Sequence, residues 1–145
     1  MTNQEKIAQL LPIVGRQAQK LIDRCKKELG IDLLITCGYR SIEEQNKLYE
    51  IGRTKSPIGN KYIVTKAKGG QSFHQYRTAI DVCPIQGGKL LWDYDWKKIG
   101  NIGKEIGFKW GGDWVSIKDN PHFEWNLFYT LKDFQEGKVD MSKFK

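Results

Sequence analysis

The apolar pattern changes its period at Gly30, and no other feature constrains the fold of this chain more. Before Gly30, residues Val14, Ala18, Leu21, Ile22, Cys25 and Leu29 recur at three- and four-residue spacing, which predicts a helix with one buried stripe. Pro12 marks the start of that helix or a kink in it. After Gly30, Ile31 to Cys37 is a short apolar run of strand length, ended by Gly38. Ser41 with Glu44 three residues on makes a capping box, so a second helix is expected from Ile42 to Glu50, closed by Gly52. Arg53 to Ser72 dissolves into Gly, Lys, Ser and Pro, a long loop expected to cover or flank a site. Thr78 to Cys83 reads as a strand, Gly87-Gly88 as a turn and Leu90-Leu91 as a short strand after it. Trp96, Ile99, Ile102 and Ile106 predict a third helix stopped by Gly107, and Phe108 to Trp110 another strand. A last short helix is expected around Leu131 to Glu136. Helices and strands mix without strict alternation, which predicts an α+β fold around a small antiparallel sheet. A length of 145 residues fits one domain, 1–145, able to fold without disulfides.

Lys and Arg total 24 against 17 Asp and Glu, a net charge of +7. That charge favours a polyanionic partner: nucleic acid, an acidic membrane surface or an anionic wall polymer. The basic residues are spread along the chain with no run of five or more, so a solvated surface accounts for them equally well. Cys25, Cys37 and Cys83 cannot all pair, and none forms a Cys-x-x-Cys motif, which suits a reducing compartment. The apolar stretch from Ile7 to Val14 is broken by Gln9 and Pro12, unlike a signal peptide, and no segment is long enough to span a membrane. Synthesis in the cytoplasm is the expectation.

Only two histidines occur, and both lie near unusual carboxylates. Asp81 stands inside an apolar strand between Ile80 and Val82, where a carboxylate is costly unless paired. A metal ion would supply the missing charge, with His74 on the preceding turn as a second ligand. The alternative is that Asp81 accepts hydrogen bonds from a loop and His74 lies on the surface. Downstream, Asp119-Asn120-Pro121-His122 puts a carboxylate and an imidazole three residues apart. His122 would complete a His, Asp, His set with a fourth position open, the arrangement of a catalytic zinc site. Asp119 then becomes the general base, near the metal without binding it, although an Asp before Asn-Pro is also a common turn former. Arg40, at the end of a strand and before a helix, could bind a carboxylate or stabilise an oxyanion, or be a surface arginine. Trp110 and Trp114 flank a flexible turn and could wall a cleft or simply fill the core. Cys83 reads as core filler.

These residues, in this order, resemble a known family of zinc peptidases. It includes L-alanyl-D-glutamate endopeptidases of phage and bacteria, and D-alanyl-D-alanine carboxypeptidases and dipeptidases. The resemblance runs from about Gly38 to Trp125. It rests on Gly38-Tyr39-Arg40-Ser41 with Glu44-Gln45 and Leu48-Tyr49; Ser72-x-His74 through Ala79-x-Asp81; Trp110-Gly111-Gly112-Asp113-Trp114; and Asp119-x-Pro121-His122-Phe123. It implies one zinc ion held by His74, Asp81 and His122, with Asp119 as the catalytic carboxylate. Arg40 and Ser72 match positions that contact substrate near the scissile bond, and Gln45 a recurrent position in a supporting or substrate-binding role. One position departs: Arg77 stands where the family usually has Gly, and a cation there could alter the turn or reach toward an acidic substrate.

The activity this resemblance implies is hydrolysis of the L-alanyl-D-glutamate bond in peptidoglycan stem peptides, by an enzyme of the phage endolysin type. Such a protein is expected to act as a monomer, to be drawn to anionic wall polymers, and to reach the wall through a separate phage-encoded pore. Cleavage of D-alanyl-D-alanine by the same site is one alternative, and a non-catalytic wall-binding module that keeps a metal is another. Nucleic-acid binding has only the charge behind it and is not expected.

Overall fold

The computed structural model describes residues 1–53 and 63–145. Helix α1 (Asn3–Ala8) starts on the Thr2 hydroxyl, which accepts from the Glu5 N–H. Helix α2 (Pro12–Leu29) opens with Pro12 in its first turn, where a missing N–H costs nothing, and stops on left-handed Gly30. Strand β1 (Asp32–Cys37) comes next, then α3 (Ile42–Glu50), whose capping box is formed by Ser41 and Glu44 as the spacing requires. Strands β2 (Ala79–Gln86) and β3 (Lys89–Leu90) form a hairpin turned by Gly87 and Gly88, both at positive φ. Helix α4 (Trp96–Ile106), strands β4 (Lys109–Trp110) and β5 (His122–Glu124) and helix α5 (Leu131–Gln135) complete the order. Three single 3-10 turns, at 73–76, 111–113 and 141–144, link these elements.

The sheet is antiparallel throughout, in the order β1-β2-β5-β4, with β3 paired to β2. The expected α+β architecture is therefore the observed one. Several details differ from expectation, among them β2, which runs on to Gln86 rather than ending at Cys83. The strand after the Gly-Gly turn covers Lys89–Leu90 rather than Leu90–Leu91, and Phe108 precedes β4 as a core residue. Strand β5 and helix α1 carry no periodicity of their own and exist through their partners. Within the expected loop Arg53–Ser72, residues 54–62 lie outside the described residues, while Val64, Thr65, Ala67, Gln71 and Ser72 line the cleft over the sheet.

The two faces of the sheet do different work. Ile35, Ile80, Val82, Phe123 and Trp110 join the core formed with α2 and α4. The fit is close: a Cβ on Gly103 of α4 would run into the Phe123 ring, so only glycine lets helix and strand approach this far. Strand alternation then sends Asp81 and His122 to the opposite face, and the register shift after Ile35 brings Cys37 to the same side.

β1 is an edge strand, and α1 covers its free side. The Asn3 side chain donates to the Leu33 carbonyl and accepts from the Ile35 N–H, both at 2.8 Å. Lys6 donates to the Ile35 and Thr36 carbonyls. Between Ile35 and Cys37 the register shifts, so Thr36 is an extra residue in β1. Such a bulge bends the end of the strand and re-aims the residues beyond it, here Cys37 through Arg40.

Candidate metal centre

Sheet register assembles half of the site. Cys37 lies opposite Asp81, and Asp81 lies opposite His122, so three reactive side chains share one row across β1, β2 and β5. His74 arrives from the 3-10 turn at 73–76 that precedes β2. That turn is built by Ser72, whose hydroxyl accepts from the His74 N–H while Gln75 reaches back to the Ser72 N–H. Phe134 of α5 packs against Phe73 and Tyr76 from behind, with ring centroids 5.8 and 5.2 Å away. The turn ends on Arg77 at φ 65°, a left-handed position that explains why glycine is the usual residue there. The Arg77 side chain turns from the cleft, donates to the Gln9 carbonyl and lies 4.0 Å over the Tyr39 ring. The cation thus fastens the turn to the N-terminal segment and does not reach toward substrate.

Asp81 sits between the imidazoles. Its Oδ2 is 3.4 Å from His74 Nε2, and its Oδ1 is 3.2 Å from His122 Nδ1. The histidines use opposite nitrogens because their other nitrogens are occupied. His74 Nδ1 donates to the Gly38 carbonyl at 2.8 Å, and His122 Nε2 donates to Glu124 Oε1 at 2.8 Å. Both imidazoles are almost fully buried. Burial opposes their charge, yet hydrogen bonds to Asp81, with Cys37 on His74 and Glu124 on His122, raise His74 to about 10 and His122 to about 9. Asp81 moves the other way: burial would raise it, but its bonds to His122 and His74 hold it well below the usual carboxylate range.

This donor set fits a metal. Two imidazole nitrogens and a carboxylate converge, and each imidazole has its far nitrogen tied to an acceptor, as metal-ligating histidines do. Candidate ligand atoms of Asp81, Asp119 and His122 lie within 4.8 Å of one another, as do those of Cys37, His74 and Asp81, so Asp81 belongs to both groups.

Asp119 approaches the centre on the loop between the 3-10 turn at 111–113 and β5. Its N–H donates to the Gly111 carbonyl and its carbonyl accepts from the His122 N–H. A Cβ on Gly111 would collide with the Asp119 carbonyl, so glycine is what lets this loop close on the sheet. Burial first, and then the Asp81 charge, raise the Asp119 carboxyl above its ordinary value. A carboxylate with raised affinity for a proton is suited to proton transfer.

A cleft of about 560 Å³ opens over these groups, lined by His74, Asp81, Asp119 and His122, with Arg40, Gln45, Ser72, Glu124 and Trp114 around them. Trp114 walls it, its ring 5.0 Å from that of His122, whereas Trp110 is core and donates to the Asn120 carbonyl. Arg40 Nη2 lies 3.8 Å from Asp81 Oδ2 and 3.3 Å from Cys37 Sγ. Its Nη1 donates to Gln45 Oε1 at 2.9 Å. Gln45 is only 1% exposed and also donates to the Ala67 carbonyl, so it holds Arg40 and the loop more than it presents itself to the cleft. Cys83 is core filler, as expected.

Of the residues singled out from the sequence, His74, Asp81, Asp119, His122, Arg40, Ser72, Gln45 and Trp114 thus line one cleft, whereas Trp110 and Arg77 do not. Two neighbours were not foreseen, Cys37 and Glu124. Cys37 looked like one of three unpaired cysteines, and all three are indeed free. Its Sγ lies 3.7 Å from His74 Nδ1; burial pushes the thiol up, but His74 and Arg40 prevail and hold it below its ordinary value. Glu124 would have been found from His122 by the two-residue strand period, had β5 been legible.

A cluster of two histidines and an aspartate beside a further carboxylate, on an antiparallel sheet backed by helices, fits a metal-dependent hydrolase. Comparison with known proteins places it more narrowly. Residues 65–125 match the family model described as D-alanyl-D-alanine carboxypeptidase. The chain is 44% identical over 126 residues to the peptidoglycan L-alanyl-D-glutamate endopeptidase of Bacillus subtilis, covering 79% of this chain and 72% of that protein. It is 30% identical over 125 residues to the L-alanyl-D-glutamate peptidase of a Listeria phage, covering 83% of this chain and 40% of that protein. Among solved structures, the L-Ala D-Glu endopeptidase of Serratia marcescens shares the fold with a TM-score of 0.65 at 20% identity, covering 92% and 90% of the two chains. A vancomycin-resistance D,D-pentapeptidase in complex with Zn(II) does so with a TM-score of 0.58 at 17% identity, covering 90% and 80%. The chain belongs to this peptidase family and is a metallopeptidase. Among the described residues, no helix is long and apolar enough to cross a membrane.

Proposed function

We propose that this protein hydrolyses the L-alanyl-D-glutamate bond of peptidoglycan stem peptides, using one zinc ion held by His74, Asp81 and His122. The observation that carries the chemistry is Asp81 set between two imidazoles that offer opposite nitrogens, with the Asp119 carboxylate beside them in an open cleft. The choice of bond rests on the 44% identity to the Bacillus subtilis endopeptidase, supported by the more distant phage peptidase. When bound, zinc supplies Lewis acidity, which acidifies water and polarises a peptide carbonyl.

The chain's own groups do the rest. Asp119 takes a proton from the attacking water and delivers it to the leaving amine, a task its raised proton affinity suits. Arg40, steadied by Gln45, meets the carboxylate of the substrate or the oxyanion that develops during attack. Trp114 gives the peptide an apolar wall, and Ser72 shapes the turn that carries His74 while its side lines the cleft. The protein acts as a monomer, and its +7 charge draws it toward anionic wall polymers.

The test is digestion of purified peptidoglycan by chelator-stripped protein, before and after zinc is restored, with the newly exposed amino ends labelled and identified. Zinc-restored release with D-Glu at the new N-termini supports the proposal. New D-Ala ends instead point to D-alanyl-D-alanine cleavage, the activity in the family model's description. Tight wall binding and one bound zinc with no new ends would make the protein a binding module.

A further inference from the structure

Both carboxylate oxygens of Glu124 are bonded inside the protein. The residue is 8% exposed, its Oε1 accepts from His122 Nε2 at 2.8 Å, and its Oε2 accepts from Asn126 Nδ2 at 2.6 Å. The backbone register seats it there: on β2 its partner is Ala79, two places along from the Asp81 that pairs with His122. Asn126, only 3% exposed, is held in turn, its Oδ1 accepting from the Phe128 N–H at 3.2 Å. The chain accepts two consecutive left-handed residues, Leu127 at φ 51° and Phe128 at φ 69°, to make the turn that holds Asn126. Neither is glycine, asparagine or aspartate, so this backbone is costly and has to be offset by what it positions.

We infer that Glu124 is a positioning residue of the metal centre, fixing His122 with its proton on Nε2 so that Nδ1 faces the metal. A neutral imidazole carries one N–H, and a buried carboxylate 2.8 Å from Nε2 selects the tautomer with the proton there. It also makes Nδ1 a stronger donor. The contrast with His74 is instructive, since that ring is oriented by the neutral Gly38 carbonyl. His122 has a carboxylate as the close partner of its far nitrogen, where His74 Nδ1 has a carbonyl at 2.8 Å and Cys37 Sγ at 3.7 Å.

The inference rests on the zinc centre proposed above, and one set of measurements separates the two. Zinc affinity is measured by competition with a chromophoric chelator for the unaltered protein, Glu124→Gln and Glu124→Ala, beside thermal melting of each metal-free form. Removal of an outer-shell partner typically weakens binding by about 10- to 100-fold. Glu124→Gln, which keeps an acceptor without its charge, is expected near the lower figure and Glu124→Ala near the upper. Long-range proton–nitrogen NMR of the zinc-loaded protein should show the His122 proton on Nε2, with that proton exchanging faster in Glu124→Ala. Unchanged zinc affinity and an unchanged His122 signature in folded Glu124→Gln would overturn the inference while leaving the zinc centre standing. An unaltered protein that binds no zinc would overturn both. If Glu124→Ala does not fold, the near-isosteric glutamine variant decides alone.

Discussion

The two arms of the candidate metal centre are made from different materials. His74 hangs on one 3-10 turn, capped by Ser72, backed by Phe134 and oriented by a backbone carbonyl. His122 stands in the sheet, its position set by register against Asp81 and its ring set by Glu124. No substitution at Gly38 deletes the carbonyl that holds His74, so that arm is vulnerable only where the turn itself can loosen. The strand arm has the opposite profile: its backbone is locked between β2 and β4, and its chemistry depends on side chains that single substitutions remove.

The sharpest way to separate the arms is to remove the carboxylate that enters beside β5 and touches neither ring's support. Asp119→Ala should keep zinc bound while turnover on peptidoglycan falls about a hundred- to ten-thousand-fold, the usual worth of a general base. Unchanged turnover would take Asp119 out of the mechanism.

Both arms share one charge, and pH exposes it. In the metal-free protein His74 and His122 are raised to about 10 and about 9, against about 6.5 for an unfolded histidine. Groups raised on folding give stability that is fully present below the unfolded value and lost as pH rises through the folded values. Metal-free protein should therefore melt at a lower temperature at pH 10 than at pH 7, and calorimetry across that range checks it. A flat profile would mean that Asp81 does not hold the two rings charged. The same premise predicts that zinc binding at pH 7 displaces about two protons, one from each arm, because ligating imidazoles must be deprotonated. Titration calorimetry in buffers of different ionisation enthalpy counts them, and a count near one would show that the arms are charged unequally.

The smallest effect belongs to the turn. Ser72→Ala removes the hydroxyl that accepts from the His74 N–H, and loss of such a cap costs about 1 kcal/mol. Chemical denaturation measures it. A stability change within error would mean that Phe134 and the Gly38 bond hold the turn by themselves.

What was legible in the sequence divides along the same line. The helices α2, α3 and α4 announce themselves through apolar spacing, a capping box and terminal glycines, all local signals. The residues of the candidate centre were legible because the chain has only two histidines, and because Asp81 stands between Ile80 and Val82 in an apolar strand. β5 was not, since His122–Phe123–Glu124 is too short to show alternation and is a strand only because β2 and β4 flank it. Glu124 and the row shared with Cys37 stayed hidden for that reason, since both depend on pairing across the sheet. Arg77 left two readings open in the sequence, an altered turn or a reach toward substrate, and its left-handed backbone and the partners Gln9 and Tyr39 favour the first.

Helix α1 covers the side of β1 where another strand could add. With one side chain, Asn3 gives to Leu33 and takes from Ile35, imitating the paired donor and acceptor of a neighbouring strand. An uncovered edge offers the same groups to any extended peptide, including the β1 edge of a second molecule. The helix is therefore a sheet terminator made from one amide and one ammonium group. Its loss would be felt first as a chain that sticks to its own copies, before the chemistry on the far face suffered.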